Sequence, residues 1–290
     1  MKKSIFSLLA LGACLLTACG GGKSLSLEEI STKLESLHTA NSTTEIAAPA
    51  AASFSYEFKM EAYDDGVLVE GASMTDLTLG EYDKTTGYSH LAMTGVEQYI
   101  YVDGSKVVVA MSMEGQNLYT IQDAGSPEVA LEAANAMIAE SGFEYFVLEL
   151  MPGLAELESL ANYTLLFGLN NDEDPENDID FGAQLGYDEK FEMSLTGKEN
   201  KGNVEFEFKM NGKSTVAADG TWGGIDGVLK AAFNAEGFLT YALDLATITE
   251  AVVMGDKVVV QDTVMSNETI VKYSCDNKLP DLSKYTFVEM

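Results

Sequence analysis

Two distant stretches of this sequence alternate between apolar and polar residues, which is the period of a half-buried β-strand. In residues 54–60 every second side chain is Phe, Tyr, Phe or Met, and the residues between them are polar or charged. Residues 205–210 repeat the pattern with Phe206, Phe208 and Met210 against acidic and basic neighbours. One face of each strand is therefore expected to meet a core and the other face water.

Turn signals join such strands into hairpins. Asp103-Gly104 lies between two strand-like runs and predicts a two-residue type I′ turn, which needs a positive φ at both central residues. Residues 234–237 predict a longer hairpin loop of the same kind. Hairpins that follow one another along the chain predict an antiparallel meander.

The chain also matches itself in three places that keep the same order. Residues 56–60 recur as 206–210 and residues 87–93 recur as 237–243, both at an offset of 150, while residues 102–109 recur as 253–260 at an offset of 151. Hairpins share composition, so chance similarity is the alternative. The common order and near-constant offset favour an internal duplication into two tandem β-meander repeats.

Helices are fewer and lie outside the matching segments. They are predicted at residues 27–37, 127–140 and 153–167. Ser26 and Glu29 form a capping box before the first, and Ser126 followed by Pro127 opens the second. We therefore predict an α+β fold, mainly antiparallel β-meanders in two tandem repeats that form a curved sheet or half-barrel packed with a few helices.

The first 22 residues have the layout of an export signal, with Lys2 and Lys3 before an apolar run at residues 5–16. The run is shorter than the about 20 residues that a membrane-spanning helix needs. It ends in Leu16-Thr17-Ala18-Cys19, small residues before a cysteine, which resembles the lipobox of bacterial lipoproteins. An ordinary secretory signal cut after small residues is the alternative.

The lipobox resemblance implies a diacylglyceryl group on the Cys19 thiol, cleavage after Ala18 and a mature chain that begins at Cys19. Such a chain is anchored in the cell envelope on the extracytoplasmic face of the cell membrane, or of an outer membrane if the host has one. Three glycines follow Cys19, and a tether of six residues reaches at most about 20 Å. The folded part is therefore expected close to the bilayer.

The predicted mature chain is strongly acidic. Loss of the signal leaves 15 basic residues against 46 acidic ones, a net charge of −31, and the sequence has no arginine. Such a field repels phosphate backbones, so nucleic acid is not expected as a partner.

The predicted mature chain has one free cysteine. Cys14 is lost with the signal and Cys19 is acylated, which leaves Cys275 with no intrachain disulfide partner. Cys275, in the strand-like stretch 269–275, is expected to be a small buried apolar residue instead of a reactive thiol.

The order of elements is similar to that of the half-barrel lipoproteins and carriers of the lipoprotein-localisation carrier type. Both have a lipobox, a short tether, an amphipathic first helix and antiparallel meanders with intervening helices. The resemblance implies an apolar cavity between half-barrel and helices, and hence a lipid or other hydrophobic ligand. The alternative is a cell-surface interaction or structural lipoprotein with no small-molecule ligand.

These patterns divide the chain into five segments. They are a signal (1–18), a lipidated flexible tether (19–26), a first unit with the first helix, the first meander and the helices that follow it (27–168), an acidic linker (169–181) and a second unit with the second meander (182–290).

The linker carries six carboxylates within residues 172–180. Asp172, Asp174, Asp178 and Asp180 alternate along this loop, and several oxygens from one loop are what Ca²⁺ prefers. The sequence lacks the glycine and glutamate of an EF-hand at the required positions. A solvated acidic linker is the alternative.

Other features leave two interpretations open. The 13 methionines fall largely on predicted strands, where thioethers line adaptable cavities or fill ordinary cores. Trp222 lies between glycines and would mark a ligand entrance or cap the end of a barrel. With His38 and His90 as the only histidines, and no nucleophile elbow, Walker loop, dinucleotide fingerprint or metalloprotease helix, we predict no enzyme, catalytic residue or cofactor. The alternative is a hydrolase that uses a carboxylate pair such as Asp64 and Asp65 as acid and base.

Overall fold

The computed structural model describes residues 22–43, 46–170 and 190–289. Most of these residues form strands, as the alternating pattern predicts. The strands are β1 (Lys23–Leu25), β2 (Ala51–Asp64), β3 (Val67–Leu68), β4 (Met74–Asp83), β5 (Tyr88–Met93), β6 (Val96–Asp103), β7 (Lys106–Met113), β8 (Gln116–Asp123), β9 (Lys190–Asn200), β10 (Asn203–Lys213), β11 (Trp222–Phe233), β12 (Leu239–Met254), β13 (Lys257–Lys272) and β14 (Thr286–Phe287).

All 14 strands belong to one sheet, which does not close on itself. Its order is β1-β9-β10-β11-β12-β13-β2-β4-β5-β6-β7-β8-β14, with β3 paired to β2. Every pairing is antiparallel except that of β14 with β8. The sheet is thus two meanders joined edge to edge where β13 pairs with β2.

Four helices accompany the described strands: α1 (Leu27–Thr43), α2 (Pro127–Glu140), α3 (Phe143–Leu150) and α4 (Leu154–Asn170). The predicted capping box is present, because the backbone N–H of Ser26 donates to Glu29 Oε2 at 2.9 Å and that of Glu29 donates to Ser26 Oγ at 3.3 Å. Ser126 Oγ accepts from the backbone N–H of Val129, so α2 begins where the sequence predicts. The sequence analysis did not predict α3.

All four helices pack on one face of the sheet, which we call the helix face. α1 and α4 cover β10 to β12, where Ile30, Leu34 and Leu160 are buried against Phe206 and Phe208. α2 and α3 cover the other meander. Their buried contacts there include Ile138, Phe143 and Val147 with Phe54 and Tyr82.

Among the described residues, chain covers the opposite face over β4 to β8. There the segment that follows β13, residues 273–289, packs on Tyr88, Tyr101 and Val108. Tyr88 donates its hydroxyl to the carbonyl of Lys278 at 2.8 Å, and β14 adds a strand beside β8. Between the two covered regions, the centres of β2 and β13 are half-buried on both faces.

Three details differ from the sequence-based expectations. The first hairpin loop is Gly104-Ser105, not Asp103-Gly104, because Asp103 pairs with Lys106. Of these loop residues only Gly104 has a positive φ, 61°, which is the pattern of a type II′ turn. Strand β13 ends at Lys272, so Cys275 lies in the C-terminal segment and is only half-buried.

The self-matching segments occupy different strand paths. Residues 88–93 and 96–103 form the separate strands β5 and β6, whereas residues 239–254 run through as the single strand β12. Both meanders nevertheless place the matching alternation, residues 54–60 and 206–210, with its aromatic side chains on the helix face. A mainly antiparallel, open sheet with helices is thus confirmed, and the duplication stays a prediction.

Candidate apolar ligand site

One row of directly paired residues crosses seven neighbouring strands on the helix face. We call it the methionine row. It reads Met193, Met210, Gly227, Ala246, Met265, Met60 and Met74, on β9, β10, β11, β12, β13, β2 and β4. At about 4.8 Å between strands the row is about 29 Å long. Five thioethers, one alanine and one glycine therefore form a continuous apolar band.

Gly227 is part of the apolar surface that the methionine row forms. A Cβ at position 227 would lie 3.2 Å from both Cγ and Cε of Met210. The Met210 side chain therefore lies across the Gly227 backbone. Flexible thioethers beside small residues make a surface that adapts to the shape of an apolar partner.

The neighbouring rows on the helix face are also apolar. Over β9, β10, β11, β12, β13 and β2 they read Gly197, Phe206, Ala231, Ala242, Thr269 and Tyr56; then Leu195, Phe208, Leu229, Asp244, Asn267 and Phe58; and, beyond the methionine row, Phe191, Gly212, Ile225, Ile248, Thr263 and Ala62. Together with the six positions of the methionine row on the same strands, these 18 positions make 24, and Asp244 is the one charged residue among them. We call them the apolar block.

The helices cover only part of the apolar block. Phe206, Phe208 and Leu229 are buried beneath α1 and α4. The side chains on β13 and β2, among them Met265 and Met60, are half-buried, and Ile248 is 37% exposed. The apolar face of the sheet thus continues past the helices.

Asp244 lies on β12 between Leu229 and Asn267, its direct cross-strand neighbours. Its carboxylate forms no hydrogen bond or ion pair with the part of the chain that the structure describes. Asp244 is exposed, but surrounding atoms desolvate part of its carboxylate, which raises its pKa above the ordinary value. Burial, and after it the charge of Asp244, also raises the pKa of Tyr163 on α4.

Aromatic rings lie near Asp244. Tyr163 stacks on Phe208, with ring centroids 4.4 Å apart and planes 7° from parallel. Phe208 is in the same row as Asp244, two strands away. On the other side Tyr56 donates its hydroxyl to Asn267 Oδ1 at 3.2 Å.

The opposite face of the same strands has a different chemistry. Lys209 and Lys230 each bind Glu207 at 2.6 Å, and Lys59 binds Glu61 at 2.9 Å. Burial alone would raise the pKa of Glu207, but the hydrogen bonds from both lysines lower it below the ordinary value. The sheet is therefore amphipathic, with ion pairs on one face and the apolar block on the other.

A separate cleft of about 530 Å³ lies between α1 and α4. Five of its seven lining residues are polar, among them His38 and Glu158, with His38 Nε2 3.6 Å from Glu158 Oε1. This cleft does not reach the methionine row. It offers no apolar cavity of the kind the family resemblance implies.

Two predicted sites lie outside the described residues. These are the lipidation site Cys19 and the acidic loop with Asp172, Asp174, Asp178 and Asp180. Within the ranges 22–43, 46–170 and 190–289, no group of three or more His, Cys, Asp or Glu residues could hold a metal ion. The Ca²⁺ hypothesis therefore stays a prediction.

Trp222 and Cys275 have local structural partners. Trp222 is the first residue of β11, and the Lys213 ammonium lies 3.9 Å from its ring centroid. The Cys275 thiol donates to Asn277 Oδ1 at 3.2 Å, and burial raises its pKa to about 12. A thiol with so high a pKa is a poor nucleophile at neutral pH.

The methionines stand out in the sequence, whereas Asp244 does not. The repeat singled out Ala242 and Leu243 without the acidic residue that follows them. The only local signal is a carboxylate in an otherwise apolar run, Tyr241-Ala-Leu-Asp-Leu-Ala246. The position of Asp244 beside the methionine row depends on the pairing of β12 with strands of both meanders, which the local sequence does not reveal.

Comparison with known proteins does not assign the chain to a family. No protein-family profile and no curated protein matches the chain. Among solved structures, Ail, the attachment invasion locus protein of Yersinia pestis, is 9% identical with a TM-score of 0.15, over 77% of this chain and 99% of Ail. TldE from Thermococcus kodakarensis is 11% identical with a TM-score of 0.11, over 80% of this chain and 42% of TldE. Such scores carry no argument about fold or function.

None of the described helices combines the length and the apolar character needed to cross a bilayer.

Proposed function

We propose that this chain is an extracytoplasmic lipoprotein, anchored to a membrane through Cys19, that holds a lipid or other hydrophobic ligand against the methionine row. In this proposal the two meanders are tandem units, and the curvature of their shared open sheet makes a half-barrel around the ligand. The observation that carries the proposal is the apolar block, which has one charge among its 24 positions and extends past the helices.

Physical chemistry supports a ligand at this surface. Contiguous apolar surface beyond a few hundred Å² is rare on monomeric proteins and marks binding sites. A row about 29 Å long exceeds the about 15 Å that one leaflet of a bilayer's hydrocarbon core spans. An acyl chain would therefore find contacts along its whole length. An open sheet with helices on one face is also consistent with the element order, which resembles that of half-barrel lipoproteins.

The first experiment measures binding of an uncharged apolar dye, Nile red, by fluorescence titration. We expect saturable binding to the wild-type protein. The double variant Met60→Gln/Met265→Gln is expected to weaken it by about tenfold, because two half-buried thioethers each lose part of the about 1.5–3 kcal/mol that burying a methionine contributes. Native mass spectrometry of the protein from its own host should also show co-purifying lipid.

The matched control is Met111→Gln, a half-buried methionine on the helix face of β7, three strands beyond β4 in the sheet. This variant should bind the dye as the wild type does. Absence of both dye uptake and co-purifying lipid would refute the proposal and favour an interaction or structural lipoprotein. If Met111→Gln weakened Nile red binding as much as the double variant does, the dye would bind somewhere other than the methionine row.

A further inference from the structure

The apolar block carries a carboxylate where a protein that binds only uncharged chains needs none. The cross-strand neighbours of Asp244 are Leu229 and Asn267, and the methionine row passes at Ala246 two residues along the same strand. Asp244 is exposed, so its carboxylate is open to a ligand. An uncharged chain lying over it would take it out of water without supplying a partner, which costs free energy. The other charges nearby are at the margin, and the nearest in the same row, Asp76 on β4, accepts a hydrogen bond from Thr94 Oγ1 at 3.2 Å.

Positive charge is absent from this surface. None of the 24 positions of the apolar block is a lysine, and the lysines of these strands whose side chains are described pair on the opposite face or lie at the strand ends. A ligand with an anionic head would meet Asp244 without a compensating cation. A ligand with a cationic head would give that carboxylate the partner it lacks.

Aromatic rings strengthen the preference for a cation. Tyr163, whose ring stacks on the buried Phe208, lies near Asp244 on one side, and the half-buried Phe58 lies two strands away in the same row. Ring faces attract ammonium groups, by about 0.5–2 kcal/mol according to how far the group is desolvated. Asp244, Tyr163 and Phe58 therefore offer an ammonium head a carboxylate with ring surface near it.

We propose that the ligand of the methionine row is a cationic amphiphile, whose ammonium head binds Asp244 and whose alkyl chain lies along Met265, Met60 and Met74. This inference rests on the proposed function and narrows it to one class of ligand. The distance fits, since these three methionines extend the row from β12 across three strands, about 14 Å. A lauryl chain covers most of that length.

The test compares two amphiphiles that share a 12-carbon chain, dodecylammonium and dodecanoate. Each displaces Nile red from the full-length protein at pH 7 and 150 mM NaCl, below its micellar concentration. At this ionic strength charges more than about 8 Å apart are largely screened, so the protein's general negative field contributes little. We expect the wild type to bind dodecylammonium at least about tenfold more tightly than dodecanoate.

Asp244→Asn is expected to abolish this preference while Nile red still binds. The control is Asp226→Asn, which removes one exposed carboxylate from the opposite face of β11 and changes the net charge equally. It should keep the preference. Thermal unfolding of both variants shows that each is folded.

The outcomes separate the two proposals. If Nile red binds but the two amphiphiles compete equally, the inference is wrong and the proposed function stands. An equal effect of both variants would show that the preference comes from net charge, which also overturns the inference. If the wild type binds neither Nile red nor either amphiphile, the proposed function itself fails.

Discussion

Gly80 has no special backbone conformation, yet its side of β4 is fully occupied. A Cβ there would lie 2.3 Å from Cε1 of Phe54 and 3.2 Å from Cε1 of Phe143. The Phe54 ring, which is 5% exposed, therefore packs directly on the glycine. The missing side chain lets the aromatic core beneath α3 approach the sheet.

Gly80→Ala is expected to destabilise the protein by roughly 1–3 kcal/mol, because a buried ring must move to admit the methyl group. Gly168→Ala is the matched control, since nothing lies within 4 Å of its Cβ position in α4. There alanine should be neutral or stabilise by up to about 1 kcal/mol, as it favours helix. Urea unfolding measures both variants. A Gly80→Ala protein as stable as wild type would show that the ring does not pack as described.

At the scale of elements, the carboxylate of Asp83 is one of the groups that link the C-terminal segment to the sheet. Asp83, at the end of β4, accepts from the Thr85 backbone N–H at 2.8 Å and from Asn277 Nδ2 at 3.0 Å. Burial alone would raise the pKa of Asp83, but these hydrogen bonds lower it below the ordinary 3.8. Its stabilising contribution is therefore present above about pH 4 and is lost as the pH falls through the lowered pKa.

Asp83→Ala is expected to cost about 1–3 kcal/mol at pH 7, because buried donors lose their acceptor. The deficit relative to wild type should shrink below pH 4. Hydrogen exchange should become faster in residues 273–289, which the side chain of Asn277 fastens to the sheet. Asp123→Ala removes a carboxylate that does not contact this segment and should leave its protection unchanged. Unaltered exchange in Asp83→Ala would contradict the fastening role.

Local signals allowed some elements to be predicted and left others unseen. The Ser26–Glu29 capping box and the Ser126-Pro127 start of α2 depend on residues three apart, and both are confirmed. Helix α3 begins after Gly142, which makes no side-chain cap, so no local signal precedes it. Pairing of Met60 with Met265 joins residues about 200 positions apart. Alternation predicts which residues share a face, but register decides which meet, and a slip of one residue exchanges the faces.

At the scale of the whole molecule, β1 and the methionine row lie towards opposite ends of β9. Strand β1 pairs Lys23 with Glu199, six residues along β9 from Met193. That separation is about 20 Å, and the four residues from Cys19 to Lys23 add at most about 14 Å. The proposed ligand site is therefore held within about 35 Å of the bilayer surface.

The lipid on Cys19 is expected to be the sole attachment of the predicted mature chain to the membrane. A net charge of −31 offers no attraction to anionic head groups. Cys19→Ser should therefore move the protein from the membrane fraction to the soluble extracytoplasmic fraction. Wild-type protein should resist 1 M NaCl and be released only by detergent, because salt screens charges but does not extract acyl chains.

Nile red affinity serves as the control for this prediction. Nile red affinity should be equal in the released Cys19→Ser protein and in delipidated wild type, because residues 19–26 contribute no residue to the apolar block. Mass spectrometry of the wild-type N-terminal peptide should show diacylglyceryl on Cys19. A Cys19→Ser protein that stays in the membrane fraction would mean that another surface attaches it, and the exposed part of the methionine row would be the first to examine.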